Sequence, residues 1–497
     1  MMSLLRLPAS LGLALVVAVL WGLVAGPAAW AADASQGDLG PAEGTGPDTV
    51  FLSLDEIWAL VEANHPSLRE ARRELESAQR AYAQREAAYA PSVTLRADGL
   101  ALRIRPDGSM ADMRPGLTVS GGMKLASGLQ LNATVSAQER SAAQDPSVRG
   151  TVTVSYPLLR SASLDSDALA VREAALSVEG AQRRLEIARQ EARAQALSAL
   201  RDLETAAARL KLAQEGYADA HRRQDVVAEQ AAIGAATEAQ ILAAELEIMR
   251  AEQEMLVAER TYIARRQQLL RLLGLAEDGV RYEFESAWDW LGMPAAPAVD
   301  EAAERAAANS VELWERLQAV ETARLHLAAE RERQGLETSL QLTYNQGLQE
   351  AGDQEPPYRW TVGLQVSYPL YDGGQRRLAL VNREEAVLRA QESLDSAAEQ
   401  LRAQVQDLLY QLEDARRQVE IARLERRRAE IELLAAERQL TLPVPSATED
   451  AVASARRALE RADISWREAV WTYQARWIEL GILQGAVDWD ALRAGSE

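Results

Sequence analysis

Hydrophobic positions in this chain follow two periods, and the switches between them mark out its elements. Around residues 338–370 the period is two. Leu340, Leu342 and Tyr344 face one way and Gln341, Thr343 and Asn345 the other, while Trp360, Val362, Leu364, Val366 and Tyr368 oppose Thr361, Gly363, Gln365 and Ser367. Such alternation predicts strands with one apolar and one wet face. On either side the period lengthens to that of a helix, with Leu68, Ala71, Leu75, Ala78, Tyr82 and Tyr89 on one face. Stretches 164–233 and 375–440 carry heptad seams: Ala192, Ala196, Ala199, Leu203, Ala206, Leu210, Ala213, Tyr217 and Ala220 in the first, Leu401, Val405, Leu408, Leu412, Ala415, Val419 and Ala422 in the second. At ~1.5 Å per residue each predicts a rod on the order of 100 Å long. So many seam alanines permit close helix approach, which suits a thin wall better than a thick bundle.

The pattern occurs twice. Val154-Ser155-Tyr156-Pro157-Leu158 recurs unchanged as Val366-Ser367-Tyr368-Pro369-Leu370, in each case at the join between strand and long helix. The chain divides into a leader at 32–53, repeat one at 54–275, a linker at 276–299, repeat two at 300–483 and a tail at 484–497. Repeat one reads as helix 54–90, strands 93–158, long helix 164–233 and returning helix 237–274. Repeat two reads as helix 300–334, strands 338–370, long helix 375–440 and returning helix 448–480. Helix 54–90 and the span 237–273 have 37 residues each, so end to end they match one long rod. Two short helices beside one long helix, twice over, close a cylinder only when other chains supply the rest, which predicts an oligomer.

Prolines mark the joints. Pro91, Pro157 and Pro369 sit where a strand meets a helix, positions at which a missing N–H costs little. The equivalent Asn64 and Asn309 are 245 residues apart but the two proline joints only 212, so repeat one carries 33 extra residues between those points. They hold Leu117, Val119, Met123 and Leu125, then Leu129, Leu131, Ala133 and Val135, alternating with polar or small residues around a turn at Ala126-Ser127-Gly128. A half-buried soluble sheet and a barrel in lipid both ask for such alternation. Tyr344, Tyr358, Trp360 and Tyr368 are placed as the interfacial aromatics of a barrel.

The first 31 residues change the compartment. Arg6, an apolar run over 11–24 and Ala29-Trp30-Ala31 predict a cleaved signal peptide at 1–31; an uncleaved anchor is the other reading of the run. Residues 33–48, rich in Gly, Pro and acid, should be loose. No later segment has the roughly eighteen consecutive apolar residues of a membrane helix, so any crossing by the mature chain is made with strands.

Composition then removes function classes. A formal net charge of −20 opposes nucleic-acid binding. The absence of cysteine excludes disulfides, thiol chemistry, cysteine zinc sites and a lipid-modified N-terminal cysteine. His65, His221 and His326 fall on separate predicted helices, without a second ligand at metal spacing. Gly373-Gly374 lacks the Lys-Ser/Thr of a phosphate loop and reads as a turn from strand into helix. Arg426-Arg427-Arg428 reads as a solvated helix face. No catalytic, metal or cofactor site is expected.

Several of these stretches together resemble the TolC family of outer-membrane efflux proteins. They are Leu54-Asp55-Glu56 with Asn64-His65-Pro66-Ser67-Leu68 and Ala71, then Tyr89-Ala90-Pro91-Ser92, then Gly234 with Thr237, Ile241-Leu242 and Ala244, and Leu272-Leu273-Gly274. The sharpest is Ser367-Tyr368-Pro369-Leu370-Tyr371-Asp372-Gly373-Gly374, similar to the family's strand-to-helix signature. The resemblance spans about residues 52–483. It implies a mainly α fold with β: a homotrimer whose long α-helical periplasmic barrel continues a β-barrel shared among subunits in the outer membrane of a Gram-negative bacterium. It also implies outer-membrane lipid, a periplasmic adaptor (membrane fusion protein) and an inner-membrane pump as partners, for efflux or type I secretion. On this reading Gly234 and Thr237, with Pro443, Pro445 and Ser446, form the helix tips where an adaptor docks.

Two departures stand out. Leu442-Pro443-Val444-Pro445-Ser446 replaces the glycine turn of the second tip, and the family's paired constriction acids fall on Ala451 and Ser454, leaving Glu449 and Asp450 as the nearest candidates for the pore constriction. The extra residues predict four strands from repeat one and two from repeat two, eighteen in a trimer. The other possibility keeps the family's four per subunit and folds the insert as a longer hairpin or external loop. A secreted coiled-coil protein without a pore is the competing class; it explains the heptads but not the twin alternating hairpins.

Overall fold

The computed structural model describes residues 49–98, 116–138, 147–159, 164–276, 280–347, 358–368, 370–441 and 449–493. The expected signal peptide, most of the leader, Pro369 and the second helix tip with Pro443, Pro445 and Ser446 lie outside them. The chain opens with β1 (Thr49–Leu52), α1 (Leu54–Asn64), α2 (Pro66–Glu86) and a 3-10 turn (Ala87–Tyr89). The single helix expected over 54–90 is therefore broken. Pro66 has no N–H, and in a continuous helix its ring would strike the Glu62 carbonyl. His65 instead takes an extended conformation, φ −60° and ψ 131°, and Arg72 Nη2 donates to the freed Glu62 carbonyl at 2.6 Å.

Four strands follow, β2 (Ser92–Asp98), β3 (Gly116–Lys124), β4 (Gln130–Gln138) and β5 (Ser147–Pro157), then α3 (Ser166–Ala232), α4 (Glu238–Leu273) and β6 (Arg281–Phe284). Repeat two supplies α5 (Val299–Asn309), α6 (Val311–Arg333), β7 (Glu337–Gly347), β8 (Tyr358–Ser367), α7 (Gln375–Thr441) and α8 (Glu449–Leu483), and α9 (Asp490–Arg493) lies in the tail. The helix expected over 300–334 is also broken, this time without a proline. Ser310 is extended, and its Oγ accepts the Leu313 N–H at 3.3 Å, so it caps the start of α6. The long helices α3 and α7 have 67 residues each, a contour length on the order of 100 Å.

Two units are distinguished. One holds the described residues of Ser77–Val178 and Leu317–Glu392, and with them the antiparallel sheet β2-β3-β4-β5-β7-β8. Four strands come from repeat one and two from repeat two. The β3–β4 turn closes through Gly128 N–H to Leu125 O (2.9 Å) and Leu125 N–H to Leu129 O (2.8 Å).

The other unit contains Glu179–Arg316, most of repeat two's long helix and its returning helix. Its seams are buried as the heptads require: Ala192, Ala196, Ala199, Leu203, Ala206, Ala213 and Ala220 on α3, Leu401, Val405, Leu412, Ala415, Val419 and Ala422 on α7. The largest apolar cluster joins the α3 seam to Leu54, Ile57 and Val61 of α1, Leu269 and Leu273 of α4, Ile478 of α8 and Leu492 of α9. Residues 49–52, at the end of the expected leader, pair in parallel with β6, Leu52 against Phe284. Alternation over four residues is too brief to announce a strand, and the partner lies more than two hundred residues away.

Candidate functional sites: a two-faced sheet and the helix ends

Residues directly opposite one another in a ladder share a face, so the register assigns every side of the sheet. Leu95 stands opposite Val119, Val119 opposite Val135, Val152 opposite Tyr344, and Tyr344 opposite Trp360. The alternate set runs Thr94, Ser120, Thr134, Thr151, Asn345 and Arg359. One face is thus apolar across all five pairings and the other polar, with no strand out of phase. At the β8 edge the apolar face is exposed, Trp360, Val362 and Leu364 at 61%, 71% and 61%, while Val119, Val135, Val152 and Tyr344 are half-buried among their neighbours. Leaving such a face in water is costly, at about 25 cal/mol per Å² of apolar surface. Among the described residues no helix is long and apolar enough to cross a membrane.

The joints between strand and helix are built differently in the two repeats. Pro91 lies between the 3-10 turn and β2, and Pro157 ends β5 opposite Ser339. Lys124, last residue of β3, bridges Asp165 and Asp167 at the start of α3, the latter at 2.5 Å. In repeat two Gly373 (φ 66°) and Gly374 (φ 86°) make the turn into α7. Asp372 holds that turn by accepting the Gly374 and Arg376 N–H groups at 3.0 Å each. The bonds from Arg376 and Gly374 hold its carboxyl below the usual range. Arg376 and Gln334 exchange two further bonds, Gln334 Nε2 to Arg376 O at 2.7 Å and Arg376 Nη1 to Gln334 O at 3.2 Å.

The first helix tip has a sharp stop and a sharp start. Gly234, φ 72°, ends α3 with its N–H on Ala231 O (3.0 Å), and the Ala235 N–H reaches Gln230 O (2.8 Å). Thr237 then opens α4 with a capping box: its N–H bonds Gln240 Oε1 at 2.8 Å, and its Oγ1 accepts the Gln240 N–H at 3.4 Å. Glu449 and Asp450 are exposed in the first turn of α8, where negative charge also complements the helix dipole.

Three arrangements escaped the sequence reading. The first is a clasp present in both repeats. Asn64 Nδ2 donates to Leu273 O (2.9 Å) and Asn309 Nδ2 to Gln484 O (2.8 Å), each just before a left-handed glycine, Gly274 (φ 69°) or Gly485 (φ 81°). A Cβ on either glycine would come within 2.6 Å or 2.7 Å of the asparagine Cβ. The matched asparagines were the available signal.

The second is a polar knot in the helical unit. Buried Gln474 accepts from Arg201 and donates through Nε2 to Gly292 O (2.6 Å) and Trp290 O (3.1 Å). Burial pulls the Arg201 guanidinium down to about 9, opposed by the Glu204 carboxylate. Burial pushes Glu204 up, although Ser286 Oγ (2.7 Å) and the Ala287 N–H (2.9 Å) bond it. Together they fasten the linker to α3 and α8. Trp288 lies against Trp471 at 5.4 Å and under Arg467 at 5.0 Å; Trp290 lies under Arg493 at 4.8 Å.

The third concerns the histidines. His65 is buried at the α1–α2 break with Nδ1 2.7 Å from Ser67 Oγ, and burial lowers its pKa. His326 pairs with Glu173, and His221 packs edge-on to Tyr217.

The comparison that bears on identity concerns repeat two. Residues 302–483 match the family model of the outer membrane efflux protein. No curated protein matches the chain by sequence. Solved structures resemble it over most of its length. A membrane protein from Pseudomonas aeruginosa is 16% identical with a TM-score of 0.59, covering 87% of this chain and 90% of that one. The outer membrane protein VceC from Vibrio cholerae is 14% identical, TM-score 0.58, over 89% and 97%. The CmeC outer membrane channel of Campylobacter jejuni is 14% identical, TM-score 0.56, over 87% and 85%. The likeness is one of fold: long helices and an antiparallel sheet in a TolC-like arrangement.

Proposed function

We propose that this protein is the outer-membrane channel of a tripartite efflux or type I secretion system, a passive homotrimeric conduit that takes cargo from a periplasmic adaptor and inner-membrane pump to the exterior. The observation that carries the reading is the sheet. An apolar face backed by a polar one, in phase across six strands, suits lipid on one side and water on the other. A closed barrel is the form in which strands cross a bilayer, because lipid leaves any open edge unsatisfied. The family match over repeat two and the likeness in fold to the outer membrane protein VceC and the CmeC outer membrane channel support the same assignment.

The helix ends take the periplasmic roles. The Gly234–Thr237 tip, with Pro443, Pro445 and Ser446 on the second, docks the adaptor. The joints at Pro91, Pro157, Pro369, Gly373 and Gly374 pass the chain from wall to helix. Glu449 and Asp450 are the acids of the constriction, because threefold symmetry turns each into a ring whose field attracts cations. The cargo is set by the pump.

Fractionation tests the reading directly: the protein should enter the outer membrane, run as a heat-resistant trimer and conduct ions in planar bilayers. A monomer in the periplasm without conductance would sink it in favour of a coiled-coil protein without a pore. Within a conducting trimer, Glu449→Gln with Asp450→Asn should lower cation selectivity and divalent-ion block. Unchanged selectivity would reduce both acids to helix-dipole partners.

A further inference from the structure

The extra hairpin of repeat one stands inside the sheet. β3 and β4 lie between β2 and β5 and are paired on both sides, β3 to β2 over seven positions and β4 to β5 over nine. Their apolar positions Val119 and Val135 share a face with Leu95, and their polar positions Ser120 and Thr134 share one with Thr94 and Thr151. A hairpin folded outside a wall, or inward as a plug, would leave β2 paired directly with β5. It would also have no reason to keep phase with its neighbours on both faces.

The outer strands of the sheet are β2 and β8. β2 follows the opening helix and β8 leads into the long helix, so they run in opposite directions, as an even strand number requires. The β8 edge of one copy therefore meets the β2 edge of the next as an ordinary antiparallel pair, and the face segregation continues unbroken through the seam.

Resting on the channel reading above, we propose that three copies join β8 to β2 in one eighteen-stranded barrel, and that the hairpin thereby widens the exit to porin width. At ~4.8 Å between strands and a tilt of ~40°, eighteen strands give a backbone diameter of ~36 Å, against ~24 Å for the twelve that remain without the hairpin. Side chains of ~5 Å on each side leave a bore of ~26 Å rather than ~14 Å. The lining runs through the hydroxyls and amides of Ser120, Thr134, Thr151, Gln341 and Thr343, with the guanidinium groups of Arg96, Arg149 and Arg359 on the same face, so this exit is polar and carries positive charge. Its solutes are bulky hydrophilic molecules up to ~20 Å across, which a twelve-stranded exit would stop.

The chain has no cysteine, so single cysteines report cleanly. In the full-length trimer, a small membrane-impermeant maleimide should label Thr118→Cys and Ser136→Cys, on the polar face, and spare their neighbours Val119→Cys and Val135→Cys on the lipid face. Maleimides on polymers ~18 Å across should still label the polar pair. Electron cryo-microscopy of the trimer in nanodiscs should count eighteen strands. Twelve strands with β3 and β4 outside the wall, equal labelling of both faces, or exclusion of the ~18 Å polymer from the polar pair would each overturn the proposal. A protein that forms no trimer in the outer membrane would instead overturn the channel reading, so the two failures are distinguishable.

Discussion

In repeat one, α4 ends at Gly274 with Asn64 packed against it; in repeat two, α8 ends at Gly485 with Asn309 in the same place. Moving from this clasp to the strand–helix joint, the likeness disappears. Repeat one anchors the start of its long helix with Lys124, which belongs to the extra hairpin, while repeat two uses Asp372 and two glycines within the connection itself. The contrast separates two kinds of constraint. The clasp is fixed by backbone geometry, because a left-handed residue with no room for a Cβ and a carbonyl needing a donor have few solutions, and both repeats keep the same one. The joint has only to turn the chain and cap a helix, which many side chains can do. There the inserted strands brought a different answer.

The largest predicted effect tests the sameness of the clasps. Gly274→Ala and Gly485→Ala should each destabilise the helical unit by about 3 kcal/mol, ~1 from left-handed backbone strain and the rest from the close approach to asparagine. Denaturant unfolding followed by helical circular dichroism measures both, and a difference above ~2 kcal/mol between them would break the equivalence. Next comes a site that only repeat two has. Gln474→Leu removes the acceptor of Arg201 Nη2 and the donor to two linker carbonyls and should cost about 3 kcal/mol. The equivalent position in repeat one is the exposed Ile263, where Ile263→Ala should cost less than ~0.5 kcal/mol.

How much of this could be read beforehand depends on the range of the forces involved. The long helices, the strand faces and the turn around Gly128 follow from local periodicity and turn chemistry, and the chain alone carries them. The break at Pro66 was also written there, but the unbroken apolar spacing through Leu68 and Ala71 outweighed the lone proline. The break at Ser310 has only a capping serine to announce it. The β1–β6 pair and the bonds of Gln474 to Arg201, Trp290 and Gly292 join residues 182 or more positions apart, and no local pattern encodes such partners. At the candidate sites, the Gly234 and Thr237 turn chemistry was legible. A constriction was not legible, because Ala451 and Ser454 stand at the positions where the family that the chain resembles carries paired acids.

Two smaller effects sharpen the comparison further. Gly234→Ala shares the left-handed strain of the clasp glycines but meets nothing within 4 Å, so it should cost about 1 kcal/mol; a cost equal to that of Gly274→Ala would show that packing adds nothing at the clasp. The smallest effect depends on pH. Burial lowers the His65 pKa from its ordinary 6.5, so the unfolded chain binds the proton more readily than the folded one. Stability should be full above about pH 6.5 and decline as the pH falls through that value toward the folded pKa. His65→Gln should flatten this slope in unfolding curves measured between about pH 5 and 7, whereas Asn309 and Ser310 at the matching place in repeat two contribute none.

Stacked-repeat proteins ordinarily lose structure from their terminal units, which have a neighbour on one side only. Here the first and last of the described residues are brought together. β1 is zipped to β6, and the Leu54 N–H is held by Glu285 Oε2 at 2.7 Å. From the other extremity Leu492 is fully buried in the first repeat's core, while Trp489 lies 5.9 Å from Trp58 and donates to Gln190. Neither extremity can fray without disturbing the other, so the helical unit behaves as a closed loop rather than a ladder with loose rungs.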